Sequence, residues 1–193
     1  MILFGIGGTN GAGKDTVGHF LAEKHNFLFV SVTELLREEA KERGWPVDRE
    51  ALRTFSAEWR RESGLGVLID KTVAFFESQE KVYDGLAVAS LRNPGEADRV
   101  HELGGKVLWV DADAQVRYDR IQANAASRGR TEEDNRTFEQ FLADEAAEMH
   151  ASGDAATLDM AGVKAKSDLT LFNETSDIED FYRLAEENLG SWL

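Results

Sequence analysis

The stretch Gly8-Thr9-Asn10-Gly11-Ala12-Gly13-Lys14-Asp15-Thr16 decides how the rest of this 193-residue chain is read. Before it stands the apolar run Ile2-Leu3-Phe4-Gly5-Ile6, which reads as a buried strand. After it Val17, Phe20 and Leu21 recur at helical spacing on one face. A glycine loop between a strand and a helix is the context that gives the G-x-x-x-x-G-K spacing its meaning. Gly8 and Gly13 free the backbone so that successive N–H groups can converge on phosphate oxygens, and the helix opening near Lys14 adds the positive end of its dipole. Lys14 then reaches the β and γ phosphates of a nucleoside triphosphate. The alternative, a glycine-rich turn that binds nothing, does not account for both flanks.

Outward from the loop, Phe27-Leu28-Phe29-Val30 reads as a second strand. Ser31 with Glu34 resembles a capping box opening a helix to about Arg43, ended by Gly44 and Pro46. Leu52, Phe55 and Trp59, then Ile69, Val73 and Phe76, form apolar stripes on two helices between Asp48 and Ser78, broken at Gly64 to Gly66. Lys81-Val82-Tyr83 is read as a short strand ending at Asp84-Gly85. Pro94 suits a helix's first turn and Gly104-Gly105 its end. Val107-Leu108-Trp109-Val110 is the next strand, and helical spacing then runs through Val116, Arg117, Arg120 and Ile121. After the basic break Ser127-Arg128-Gly129-Arg130 it resumes with Phe138, Phe141 and Leu142. Residues 151–166 are weakly patterned; Leu169-Thr170-Leu171-Phe172 and Ser176 to Leu189 read as a last strand and helix. Strands alternating with helices imply an α/β domain with a parallel sheet covered on both faces.

Whole-chain properties bound the chemistry. A net charge of −14 argues against general affinity for nucleic acid or anionic membrane, so any bound anion needs a local basic site. With no cysteine, disulfides, thiolate zinc sites and cysteine catalysis are excluded, and the four histidines show no metal-ligand spacing. No apolar run approaches the roughly 20 residues that span a bilayer, and Met1 to Ile6 is too short for a signal sequence, so cytoplasm is the expected location. At 42% hydrophobic and 30% charged, with two prolines, the chain has the composition of a single globular domain, expected as a monomer or small homo-oligomer.

The loop's ending, GKDT, displaces the hydroxyl that would hold magnesium by one position, to Thr16. This resembles the nucleoside monophosphate kinases, adenylate kinases among them, and phage deoxynucleotide monophosphate kinases more closely still. Four further segments carry the resemblance. Ser31-Val32-Thr33-Glu34-Leu35-Leu36-Arg37 is similar to the S-T-G-D-[ML]-[LF]-R segment, which implies Arg37 as a grip on the acceptor phosphate; a surface pair with Glu34 is the alternative. Asp84-Gly85 matches the Asp-Gly of D-G-F-P-R and implies Asp84 as an organiser of magnesium-bound water, against a turn cap. Ser90-Leu91-Arg92-Asn93-Pro94-Gly95-Glu96 with Leu103-Gly104-Gly105 resembles the phage D-x-R-F-x-N-E…LGG segment, which places Arg92 before the acceptor, against a loop ion pair with Glu96. Arg128-Gly129-Arg130-Thr131-Glu132-Glu133-Asp134-Asn135 resembles the G-R-x-D-D-N lid.

With Arg117, Arg120 and Arg136, that makes five arginines around one lid in an acidic chain, where transferring phosphate charge needs compensation. A merely solvated loop is the alternative. Asn173, after the last strand, falls where these kinases set a loop against the base; it equally suits a turn.

The resemblance implies a three-layer P-loop NTPase fold with a five-stranded parallel sheet. Its core would comprise residues 1–32, 80–126 and 136–193, with a helical acceptor-binding insert at about 33–79 and a short lid at about 127–135. It implies ATP and Mg2+, with small nucleotides as partners. The catalytic set would be Lys14, Arg120, Arg128 and Arg130. Gly8 to Thr16 and Asn173 would hold the donor, Arg37 and Arg92 the acceptor, and Thr16 and Asp84 the metal. The order of segments also overlaps archaeal-type P-loop kinases resembling dephospho-coenzyme A kinases. That acceptor, or a regulatory nucleotide-binding role with no small acceptor, stands as the alternative.

Overall fold

The computed structural model describes residues 1–124, 136–150 and 153–193. Five strands, β1 (Ile2–Gly8), β2 (Phe27–Ser31), β3 (Gly85–Leu91), β4 (Lys106–Asp111) and β5 (Leu169–Phe172), form one parallel sheet in the order β2-β3-β1-β4-β5. The helices are α1 (Lys14–His25), α2 (Val32–Glu42), α3 (Arg49–Ser63), α4 (Val67–Glu77), α5 (Pro94–Glu102), α6 (Ala114–Ala123), α7 (Phe138–Met149), α8 (Met160–Ala165) and α9 (Ile178–Leu189).

The two-residue period of the strands explains why both faces are covered. Leu3, Leu86, Val88, Val107 and Trp109 pack into one apolar cluster with residues of α2 to α5 and α8. The alternate residues Phe4, Ile6, Ala87, Ala89, Leu108 and Val110 pack into a second with α1 and α9. Strands buried on both sides read as unbroken apolar runs. That rule corrects one expectation. Lys81-Val82-Tyr83 is not a strand: Val82 is 83% exposed, and the strand is the wholly buried Gly-Leu-Ala-Val-Ala-Ser-Leu segment that follows. A second correction concerns α2, where Ser31 is the N-cap but makes no side-chain capping bond, and Glu34 accepts from Arg37 instead. Capping boxes do form at α5, between Asn93 and Glu96, and at α7, between Thr137 and Gln140.

Among the described residues no helix is long and apolar enough to cross a membrane. All five strands run the same way, so their C-terminal ends lie along one edge, and at that edge the loops after β1, β3, β4 and β5 meet.

Candidate active site

The loop after β1 is clamped from below and behind. Thr9 N–H donates to the Val110 carbonyl at 3.2 Å and Thr9 Oγ1 to Asp111 Oδ1 at 2.8 Å, tying the loop to the end of β4. Gly8 has φ +147° and a Cβ there would lie 2.2 Å from the Val110 carbonyl oxygen, so no other residue fits. Gly13 (φ +107°) is the N-cap of α1 and supplies no side-chain acceptor, which leaves the first-turn N–H groups of that helix to the cavity they border. Lys14 Nζ folds back to the Thr9 carbonyl at 3.1 Å. The cavity over the loop measures about 770 Å³ and is bordered by Lys14, Thr16, Ser90, Arg92, Arg120 and Asn173 among others. Burial pushes the Asp111 carboxyl up, but hydrogen bonds from Lys164, Thr9 and Trp109 outweigh it and hold its pKa below the ordinary value.

A second, smaller cavity of about 70 Å³ opens on the far side of Asn10, Thr33, Ser90 and Arg92, which border both. Among the described residues five arginines line it (Arg37, Arg49, Arg53, Arg60 and Arg92) with the apolar Val32, Leu36, Leu52 and Leu158, and no carboxylate does. Arg49, Arg53, Ser56 and Arg60 recur at intervals of three or four along α3, which puts them on one face beside the apolar stripe. Arg60 is neutralised by Glu96 at 2.6 Å, both side chains being almost fully buried. Glu96 Oε2 also accepts the backbone N–H of Arg92 at 2.7 Å, which fixes the start of the Arg92 side chain. At the junction of the cavities Ser90 sits in a β-bulge with φ +74°, a strained conformation for a residue with a Cβ and one that clusters at functional sites.

A family model described as an AAA domain matches residues 5–141. The chain belongs to that AAA-domain family. Among curated relatives, a UPF0200 protein of Pyrobaculum aerophilum is 28% identical over 97% of this chain and 94% of its own length. A cytidylate kinase of Methanosarcina mazei is 27% identical over 70% of this chain and 69% of its own. Shikimate kinase from Bacteroides thetaiotaomicron superposes with a TM-score of 0.61 at 15% identity, covering 98% of both chains. The fold of this AAA-domain protein is therefore that of the P-loop kinases.

Of the residues singled out from sequence, Gly8 to Thr16, Arg92, Arg120 and Asn173 gather at the strand edge, and Arg37 joins the second cavity, where it also pairs with Glu34 at 2.8 Å. Arg120 Nη2 donates to the carbonyls of Asn173 (2.9 Å) and Thr175 (2.6 Å), while its Nη1 is buried with no hydrogen-bond partner among the described residues. Asn173 borders the donor cavity and also touches the loop. Its Nδ2 donates to the Ala12 carbonyl at 2.9 Å and braces the loop itself. Arg92 is not in a side-chain pair with Glu96; its guanidinium goes to Glu148 at 2.9 Å. Arg117 is committed to structure, bonded to Glu145 and to the carbonyls of Ala112 and Asn10. Arg128 and Arg130 lie outside the described residues.

Asp84 is at the wrong end of the sheet. It precedes β3, where Gly85 is in register with Ile2, so a whole strand of seven residues, roughly 20 Å at the usual rise, separates it from the loop. It caps the turn instead, its carboxylate accepting from Asn26 Nδ2 at 3.1 Å. Among the described residues no group of three or more His, Asp or Glu side chains is arranged to hold a metal. Thr16, beside the loop, fits magnesium nonetheless, because that ion keeps several waters and is held largely by substrate phosphates.

Sequence reasoning missed Arg49, Arg53, Glu145, Glu148 and Asp111. The signal for the arginines was the polar stripe on α3, running beside the apolar one.

Proposed function

We propose that this protein transfers the γ-phosphate of ATP to a nucleoside monophosphate or deoxynucleoside monophosphate. The observation that carries the reading is the pair of cavities sharing Asn10, Thr33, Ser90 and Arg92: one over a phosphate-cradling loop, the other lined by arginines. A regulatory nucleotide-binding protein has no need of the second.

Phosphoryl transfer asks for positioning and charge neutralisation more than for covalent chemistry. The N–H groups of the loop and of the first turn of α1 cradle the donor phosphates. Lys14, held in place by the Thr9 carbonyl, is poised to lean toward the β and γ oxygens. Thr16 would hold magnesium, which when bound supplies charge neutralisation to the transferring group. Arg37 and Arg92 grip the acceptor, and Arg120, with Arg128 and Arg130 of the lid segment, offsets charge on the γ-phosphate. No general base is required. Water excluded by closure would keep the transfer from becoming hydrolysis.

Magnesium-ATP with a panel of NMPs, dNMPs and dephospho-coenzyme A tests the reading. Release of ADP that depends on one of the nucleotides supports it; release with dephospho-coenzyme A alone moves the acceptor, and none with any of them overturns the kinase reading.

A further inference from the structure

Three arginines that no catalytic role requires to meet converge on one carboxylate. Arg49 Nη2 and Arg53 Nη2 both donate to Glu148 Oε1, and Arg92 Nη1 donates to Oε2 at 2.9 Å. They come from the start of α3 and from the segment after β3, while Glu148 comes from the last turn of α7. Glu148 is 5% exposed and does not border the smaller cavity, whereas all three arginines do. The carboxylate therefore stands behind the guanidiniums. Each of them has five N–H groups, so the bonds to Glu148 leave most of each fork for the cavity side. Arg53 Nε is buried with no hydrogen-bond partner among the described residues.

Brought together without an anion, these like charges would repel and spread. Burial lowers the pKa of Arg49, Glu148 opposes that, and Arg92 and Arg53 lower it further. A carboxylate behind them is the least intrusive way to hold the set together while keeping the front open. Three positive charges against one negative leave two, which matches a phosphomonoester dianion with its three acceptor oxygens and exceeds what a monocarboxylate can answer.

We propose that Glu148 is a positioning residue that assembles Arg49, Arg53 and Arg92 into a receiver for a dianionic phosphomonoester group. This rests on reading the smaller cavity as the acceptor site. It assigns to that site two arginines and a carboxylate that the loop, the lid segment and Arg37 leave unexplained. A Glu148 that merely filled an anion site until the acceptor displaced it would give the opposite sign on removal.

The test uses the full chain with its loop saturated by magnesium-AMP-PNP, and titrates inorganic phosphate, with acetate as the monoanionic control, by calorimetry. Phosphate is expected to bind at least about tenfold tighter than acetate. Glu148→Gln lowers phosphate affinity by roughly tenfold and brings the two anions close together, and Glu148→Asp recovers most of the loss. Arg53→Gln, at a position 40% exposed, removes one arm of the receiver while Glu148 keeps two partners, and lowers phosphate affinity even if Glu148→Gln does not fold. Phosphate binding by Glu148→Gln that is unchanged or tighter overturns the proposal. So does a loss of stability with the preference for phosphate intact, or an Arg53→Gln protein indistinguishable from the parent. Binding is read without turnover, so phosphate bound here with no acceptor-dependent ADP release refutes the kinase reading alone. ADP release without phosphate binding refutes this inference alone.

Discussion

Replacing Asn173 with alanine separates two roles that the same residue would play at the donor cavity. Its Nδ2 donates to the Ala12 carbonyl at 2.9 Å, and Ala12 is fully buried, so the truncation leaves that carbonyl without its partner and away from water. An unsatisfied buried acceptor costs about 1–3 kcal/mol. A Cβ on Gly13 would stand 2.7 Å from the same amide nitrogen, so the glycine lies beside the space that the truncation releases. If one to two of those kcal/mol are felt in the phosphate-binding conformation, affinity falls by about 5–30-fold. The loss should be equal for ADP and for pyrophosphate, because the brace acts on the loop and pyrophosphate has no base. Calorimetric titration of both ligands against the parent and Asn173→Ala measures it. Weakened ADP binding with pyrophosphate unchanged would refute the reasoning and return Asn173 to the base.

Three further outcomes follow from particular contacts. Arg37→Ala raises the acceptor KM by about tenfold or more with little change in kcat, since Arg37 borders the acceptor cavity and not the loop; steady-state kinetics with the best acceptor checks it, and an unchanged KM contradicts the role. Burial works against ionised Glu148, but Arg92, Arg49 and Arg53 prevail and bring its pKa down to about 2 from 4.5. Its contribution to stability, roughly 3 kcal/mol, is thus complete above about pH 4.5 and lost as pH falls toward 2. Denaturation curves across that window should show an acid limb that is shallower in a folded Glu148→Gln variant. Ser90→Gly relieves a φ of +74° and raises the melting free energy by about 1 kcal/mol in a denaturant titration, while loosening the junction of the two cavities and lowering kcat.

What the sequence disclosed followed from how local each constraint is. The loop was readable because its demands are on backbone geometry: only glycine answers at Gly8, and the apolar runs on either side announce strand and helix. The layered sheet was readable for the same reason, from Phe27 to Val30 and from Val107 to Val110. Asp84 was misplaced because an Asp-Gly pair closes many turns, and what decides its role is which end of β3 it occupies. That end is set by the burial of Leu86 to Leu91 between two neighbouring strands, a tertiary fact. Asn173 is legible as a residue of the donor side, but its bond to the Ala12 carbonyl, 161 residues earlier, is a tertiary contact that no local pattern announces. Arg49, Arg53 and Glu148 were passed over because a charged stripe on a helix is ordinarily a solvated face. The docking of α7 gives these partly buried arginines a buried carboxylate partner.

The central claim is that two anion sites sharing Asn10, Thr33, Ser90 and Arg92 serve one transfer between two nucleotides. The most direct measurement is ADP production from magnesium-ATP with and without each NMP and dNMP, run beside Lys14→Ala. The account expects ADP release that rises with one acceptor, yields the corresponding diphosphate in equal amount, and disappears in Lys14→Ala. ADP release at the same slow rate whatever acceptor is present, or undiminished in Lys14→Ala, would contradict it.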